Sequence, residues 1–190
     1  MESEKNPLVI VYSGPMYSGK STALYNMYEY YNALGKKVQA VKPNIDKRYS
    51  SNSIITHSKK EIPTSSVVNL SIDLPQEEWK NINFGLDVFL IDEAQFFSVQ
   101  IVDFVKRLMN IGKEIHIAGL DVDSKGMPFG NMPQILALAS EVKKFQGKCK
   151  KCGCENATRT YRKPEIKEDS QVLIGGEEIY ESRCYNCWKL

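Results

Sequence analysis

The segment Gly14-Pro15-Met16-Tyr17-Ser18-Gly19-Lys20-Ser21 leaves this chain the fewest folds to choose from. It matches the pattern G-x-x-x-x-G-K-S/T, and it follows the continuous apolar, β-prone run Leu8-Val9-Ile10-Val11-Tyr12. After it, Leu24, Met27, Tyr28, Tyr31 and Leu34 recur at helical spacing until Gly35 supplies a stop. A buried strand, a glycine-rich turn and a helix N-terminus in this order form a cradle for phosphate. Backbone N–H groups converge, the helix adds partial positive charge, Lys20 reaches the β and γ oxygens, and Ser21 ligates Mg²⁺. A glycine turn that only joins strand to helix is the alternative, and the Lys20-Ser21 ending speaks against it. Val38 to Val41 then reads as a second strand, ended by Pro43. The whole is a βαβ unit, with a right-handed crossover and a parallel sheet.

A further buried strand, Asp87 to Ile91, runs straight into Asp92 and Glu93. Strand-end acids emerge at the carboxyl edge of an open α/β sheet, where such folds place ligands. Asp92 is therefore assigned to the Mg²⁺ side and Glu93 to a general base that takes a proton from an attacking hydroxyl. Taken locally, the same acids read as caps of the following helix. Ile101, Phe104, Val105 and Leu108 predict a helix ending near Gly112, Glu114 to Ala118 a strand, and Ile135 to Ala139 a short helix. Ser50 to Ser66, rich in Ser, Thr, Asn and Lys, reads as a mobile loop or a weak hairpin. The α/β pattern stops near Gly147.

Beyond that point Cys149-x-x-Cys152 and Cys184-x-x-Cys187 form two knuckle pairs, the ligand spacing of a closed, structural tetrahedral zinc site. Redox-active thiols are the competing reading, but neither pair begins a thioredoxin-like βαβ unit. Cys154 receives no role. Short strands are expected at Thr158 to Arg162 and Val172 to Ile174. This segment is too small for its own apolar core, so it needs the metal as a staple. We expect residues 1–147 to form a nucleotide-binding α/β domain and residues 148–190 a zinc-binding one.

Charge excludes some partners. Lys+Arg 25 against Asp+Glu 23 gives a net charge of +2, which is no nucleic-acid footprint. Lys143, Lys144, Lys148, Lys150 and Lys151 read as a solvated face, and His57 and His116 as structural residues. No stretch approaches membrane-spanning length, and the first residues lack the basic and apolar regions of a signal peptide, predicting a cytoplasmic address.

Gly-Pro-Met-Tyr-Ser-Gly-Lys-Ser-Thr at 14 to 22, Asp-x-Arg-Tyr-Ser at 46 to 50, Ile-Asp-Glu-Ala-Gln-Phe-Phe at 91 to 97 and the Cys pairs together resemble the zinc-containing, type II thymidine kinase family. The resemblance runs from about Leu8 to Cys187. It implies a P-loop NTPase-type parallel sheet flanked by helices, with a small ribbon-like zinc domain carrying a lasso loop. It further implies transfer of the γ-phosphoryl of ATP to the 5′-hydroxyl of thymidine or deoxyuridine, a homotetramer, and dTTP as a candidate feedback inhibitor, with no nucleic acid and no membrane as partner.

Residue by residue, the resemblance makes Glu93 the base and brings Asp46 and Arg48 to the reacting phosphoryl group beside Lys20. The ATP and Mg²⁺ set is Gly14, Pro15, Met16, Tyr17, Ser18, Gly19, Lys20, Ser21, Thr22, Asp46, Asp92 and Gln95. The nucleoside set is Met16, Phe96, Leu120, Phe129, Thr160, Val172, Ile174, Gly175, Gly176 and Tyr180. Two departures stand out: Asp121-Val122-Asp123-Ser124-Lys125-Gly126 has Ser124 where the family carries an aromatic, and there is an additional residue between Cys152 and Ala157. The rival enzyme reading is an ATPase in which Glu93 activates water. The rival binding reading is a zinc-ribbon nucleic-acid module, which the near-neutral charge opposes.

Overall fold

The computed structural model describes residues 8–44, 54–55, 60–165, 170–173 and 175–189. Strands β1 (Leu8–Ser13), β2 (Val38–Pro43), β5 (Val67–Leu70), β6 (Val88–Ile91), β7 (Glu114–Gly119) and β8 (Glu141–Lys144) make one sheet in the order β5-β2-β6-β7-β1-β8. All of its pairings are parallel. Helices α1 (Lys20–Ala33), α2 (Gln100–Asn110) and α3 (Met132–Leu138) cover its faces. The small pair β3 (Ile54–Ile55) and β4 (Glu61–Ile62) is antiparallel, as the hairpin reading of that region expected. The rest of that region, with Asp46, Arg48 and His57, lies outside the described residues.

Period-two alternation sorts side chains between the two layers. Val9, Val11, Phe89, Ile91, Ile115 and Ile117 pack with Phe104, Val105 and Leu108 of α2 and Ile135 of α3. Ile10, Tyr12, Ala40, Val88, Leu90 and Ala118 face Leu24, Tyr28 and Tyr31 of α1. Phe89, Leu90 and Ile91 are wholly buried, as a central parallel strand requires. Gly35 ends α1 in the left-handed region at φ 69, and its N–H and that of Lys36 donate to Asn32 and Tyr31 carbonyls, closing a Schellman motif.

Beyond residue 147, β9 (Arg159–Arg162) and β10 (Tyr180–Arg183) form an antiparallel pair, followed by α4 (Tyr185–Trp188). The strand expected at Val172 to Ile174 is not there: Val172 and Leu173 carry no strand, and Ile174 lies outside the described residues. β9 finds its partner in the Tyr-Glu-Ser-Arg of β10 instead, because Tyr180 and Ser182 alternate inward while Glu181 and Arg183 pair with each other.

One polar chain crosses the α1 face. Buried His116 on β7 lies 2.9 Å from the Tyr12 hydroxyl through Nδ1 and 3.2 Å from the Tyr31 hydroxyl through Nε2. Tyr31 donates to Glu114, so a neutral imidazole fits with Nδ1 accepting from Tyr12 and Nε2–H donating to Tyr31. Burial pushes the His116 pKa down, against the opposing pull of Glu114. Above its ordinary value of about 6.5 the ring is neutral folded and unfolded alike; below it the unfolded chain takes a proton that the fold resists. Stability should therefore fall as pH drops below about 6.5, and urea midpoints should show a smaller fall for His116→Gln than for the parent.

Candidate functional site

The glycine-rich turn lies at the carboxyl end of β1, and its backbone dictates its residues. Gly14 sits at φ 142 where a Cβ would collide with the Phe145 carbonyl, and Gly19, the residue before α1, is left-handed at φ 94. Ser18 Oγ and Lys20 Nζ both donate to the Pro15 carbonyl, at 2.8 and 2.6 Å. Lys20 is half-buried; desolvation pushes its pKa down, and Glu93, Asp92 and Asp121 pull it back up.

β6 ends at Ile91 on the same edge. Asp92 Oδ1 accepts from the Glu93 backbone N–H at 2.9 Å and from Ser21 Oγ at 3.4 Å. Burial and then the charge of Glu93 push the Asp92 carboxyl up to about 7, despite the bonds from Glu93 N–H and Ser21 and the charge of Lys20. Glu93 holds φ 52, a conformation unusual for a residue with a side chain and the kind of local strain that collects at functional sites. Its Oε2 accepts from Gln95 Nε2 at 2.5 Å, while Gln95 Oε1 accepts from the Leu120 N–H at 3.0 Å. Gln95 thus orients Glu93 and ties it to the end of β7.

A cavity of about 580 Å³ opens on this edge. Met16, Tyr17, Ser18, Gly19, Lys20, Ser21, Thr22, Asp92 and Glu93 line one part of it, and Phe96, Leu120, Phe129, Thr160, Gly175, Gly176 and Tyr180 line another. Phe96 and Phe129 meet edge to face with ring centroids 5.7 Å apart. The arrangement joins a glycine-rich loop and a carboxylate pair to an aromatic wall in one cavity.

Some expected residues stand elsewhere. Gly14, Pro15, Gln95 and Val172 are not among the lining residues, and Val172 is 40% exposed. Gln171 and Leu173 line the cavity, while Val172 between them does not. Tyr180 donates to the Leu173 carbonyl at 2.8 Å, and Gln171 donates to Asp123 Oδ2 at 2.8 Å, which ties this segment down on both sides. Arg48, Asp46 and Ile174 lie outside the described residues. Lys42 and Pro43, at the carboxyl end of β2, also line the cavity; the strand-end position was the available signal for them.

The thiols of Cys149, Cys152, Cys184 and Cys187 all lie within 4.8 Å of one another. Zn–S bonds of about 2.3 Å in a tetrahedron put sulfurs about 3.8 Å apart. Cys152 and Cys184 are 3.8 Å apart, and none of these cysteines is disulfide-bonded, so the donor set fits a zinc ion. Burial pushes the Cys149 thiol up, but backbone N–H donors from Cys184, Cys152 and Lys151 outweigh it and hold the group at about 6. That preference for thiolate suits a dication. Cys154 lies outside the quartet, 3.3 Å from Cys152.

The lobe built on these thiols is seated on the 121–130 loop. Trp188 donates to the Ser124 carbonyl at 3.2 Å, and a Cβ at Gly126 would lie 2.8 Å from the Trp188 ring. Ser124 itself lines the cavity. Among the described residues, no helix is long and apolar enough to cross a membrane.

Comparison with known proteins bears on the fold and the family. The thymidine kinase family model matches residues 8–188. The flagellar accessory protein FlaH from Methanocaldococcus jannaschii is similar in structure at a TM-score of 0.50 and 14% identity, over 72% of this chain and 70% of that chain; this likeness concerns the fold alone. A DNA replication initiation factor is similar at a TM-score of 0.44 and 15% identity, over 75% of this chain and 41% of that chain.

The thiol cluster yields a direct test. The protein should carry about one zinc per chain, and Cys149→Ser should lose most of it, as read by elemental analysis. A full equivalent of zinc retained in that variant contradicts the site.

Proposed function

Because the chain belongs to the thymidine kinase family, we propose that it transfers the γ-phosphoryl group of ATP to the 5′-hydroxyl of thymidine, with deoxyuridine as a second acceptor, giving dTMP and ADP. The observation that carries this reading is the shared cavity: Lys20, Ser21, Asp92 and Glu93 stand on the same wall system as Phe96, Leu120, Phe129 and Tyr180. Residues 1–147 form the nucleotide-binding unit and residues 148–190 the unit that covers the nucleoside.

Each group has work suited to its position. The backbone N–H groups from Tyr17 to Thr22 receive the β-phosphate, that of Met16 being given to Thr160, and Lys20 leaves the Pro15 carbonyl to meet the β and γ oxygens. Ser21 and Asp92, already in contact, are the residues that hold Mg²⁺ with the nucleotide, which supplies positive charge beside the phosphates. An Asp92 carboxyl lifted to about 7 by burial favours a cation, which fits that assignment. Glu93, held by Gln95, accepts the proton of the 5′-hydroxyl as that oxygen attacks phosphorus and ADP leaves. Arg48 joins Lys20 in stabilising the transferred charge, and Asp46 acts beside it. Positioning and electrostatics account for most of the rate.

On the nucleoside side, Phe96 and Phe129 hold the pyrimidine, while Met16, Leu120, Thr160, Gly175, Gly176 and Tyr180 enclose it. Zinc held by the four cysteines closes the base of the covering loop, so backbone groups at Gly175 and Gly176 meet the ring edge preorganised. The enzyme works as a cytoplasmic homotetramer, and dTTP, which carries both recognised moieties, is the expected feedback inhibitor.

The test is an ADP-release assay with MgATP and thymidine, deoxyuridine, deoxycytidine, deoxyguanosine or no acceptor. ADP should form only with the first two; release without an acceptor identifies an ATPase instead. Glu93→Gln should bind MgATP normally and lose about 10²- to 10⁴-fold in turnover. Near-normal turnover removes Glu93 from the role of base.

A further inference from the structure

The phosphate loop has a partner outside the large sheet. Met16 N–H donates to Thr160 Oγ1 at 3.0 Å, from a strand 144 residues away. Thr160 is 3% exposed on β9 and lies in register with Ser182 of β10. The Ser182 hydroxyl in turn donates to the Lys148 carbonyl at 3.1 Å, beside the first cysteine of the thiol cluster. On the same side, a Cβ at Gly147 would be 3.5 Å from the Tyr17 carbonyl oxygen and 3.7 Å from Ser18 Cα. The cysteine-bearing lobe therefore reaches the loop at Met16, and Gly147, where the large domain hands over to the lobe, lies close to Tyr17 and Ser18.

A single N–H supports one strong hydrogen bond, so the Met16 amide serves the lobe and not a phosphate. A hydroxyl, by contrast, carries one donor and two acceptor sites. Thr160 uses an acceptor site for Met16, which leaves its O–H to donate, and Thr160 lines the cavity. An acceptor atom on a nucleoside that takes this O–H polarises the hydroxyl and strengthens its hold on Met16 N–H, since hydrogen bonds in series reinforce one another.

We infer that Thr160 is a positioning residue that couples the two substrates: a nucleoside accepting its O–H fixes, through Met16 N–H, the phosphate loop in the form that receives the nucleotide. This rests on the thymidine kinase reading of the cavity. Linkage makes the effect reciprocal, so bound nucleotide must tighten the nucleoside by the same factor.

Calorimetric titration with MgADP and thymidine, each alone and each with the other saturating, tests it on the parent chain, Thr160→Val and Thr160→Ser. In the parent, either ligand should tighten the other by up to about twofold, the worth of strengthening one hydrogen bond by about 10–30%. Thr160→Val should bring that factor to about one and raise KM for ATP with little change in kcat, while Thr160→Ser should restore both. Thr160→Ala serves as a second hydroxyl-free chain if the valine protein folds poorly. Coupling of equal size in the parent and the hydroxyl-free chains overturns the inference, as does its absence from the parent. If thymidine does not bind the parent at all, the kinase reading falls, and the inference with it; bound thymidine without coupling removes the inference alone.

Discussion

Everything in the site depends on a single-direction sheet whose central strands are buried on both sides. β1 and β6 flank β7 and run parallel to it, so the residues that follow them emerge on one edge. That edge receives the glycine-rich loop from β1 and the Asp92-Glu93 pair from β6. Phe89, Leu90 and Ile91 are completely enclosed, so the register of β6 is fixed by burial, and with it the height at which the carboxylates appear. Ser21 Oγ and Asp92 Oδ1 stand 3.4 Å apart although 71 positions separate them in the chain. The positive φ of Glu93 is held by what surrounds it: its own N–H bonded to Asp92, its carboxylate to Gln95.

The C-terminal lobe follows a different logic. Its own apolar cluster is Cys149, Ala157 and Cys184, too few apolar groups to fold by burial alone. Thiol geometry and docking supply the order instead. Trp188 rests on the 121–130 loop with Arg159 stacked over its ring, Gln171 reaches Asp123, and Thr160 takes the Met16 amide. These attachments place the covering segment over a cavity whose floor belongs to the large sheet. The cysteine-bearing lobe is thus a wall of the site and is bonded to its glycine-rich loop.

Much of this was legible in the sequence, for identifiable reasons. Strands such as Leu8–Ser13 and Val88–Ile91 are runs of apolar residues bounded by turn signals, and α2 carries Ile101, Phe104, Val105 and Leu108 at helical spacing. β8 escaped because it is an edge strand exposed along its length: Lys143 and Lys144 read correctly as solvated while their backbone pairs with β1. β10 escaped because Tyr-Glu-Ser-Arg carries little apolar signal, and only its pairing with β9 makes it a strand. The glycine-rich loop, the strand-end carboxylates and the paired cysteines were legible because each is a pattern of fixed residue types at fixed spacing, and the structure brings each set together. Gln171 and Leu173 did not, since facing in or out along an irregular segment depends on tertiary anchors such as the Tyr180 hydroxyl, which no local pattern encodes.

The central claim is spatial: a proton-accepting carboxylate, a sugar hydroxyl and a gripped nucleotide must meet on the carboxyl edge of the sheet. A crystal structure with thymidine and a non-hydrolysable MgATP analogue bound together measures this directly. The account predicts the γ-phosphate in the Gly14–Ser21 loop and the 5′-oxygen within about 3 Å of a Glu93 carboxylate oxygen. A nucleotide seated outside that loop, or a 5′-oxygen turned away from Glu93, would contradict it.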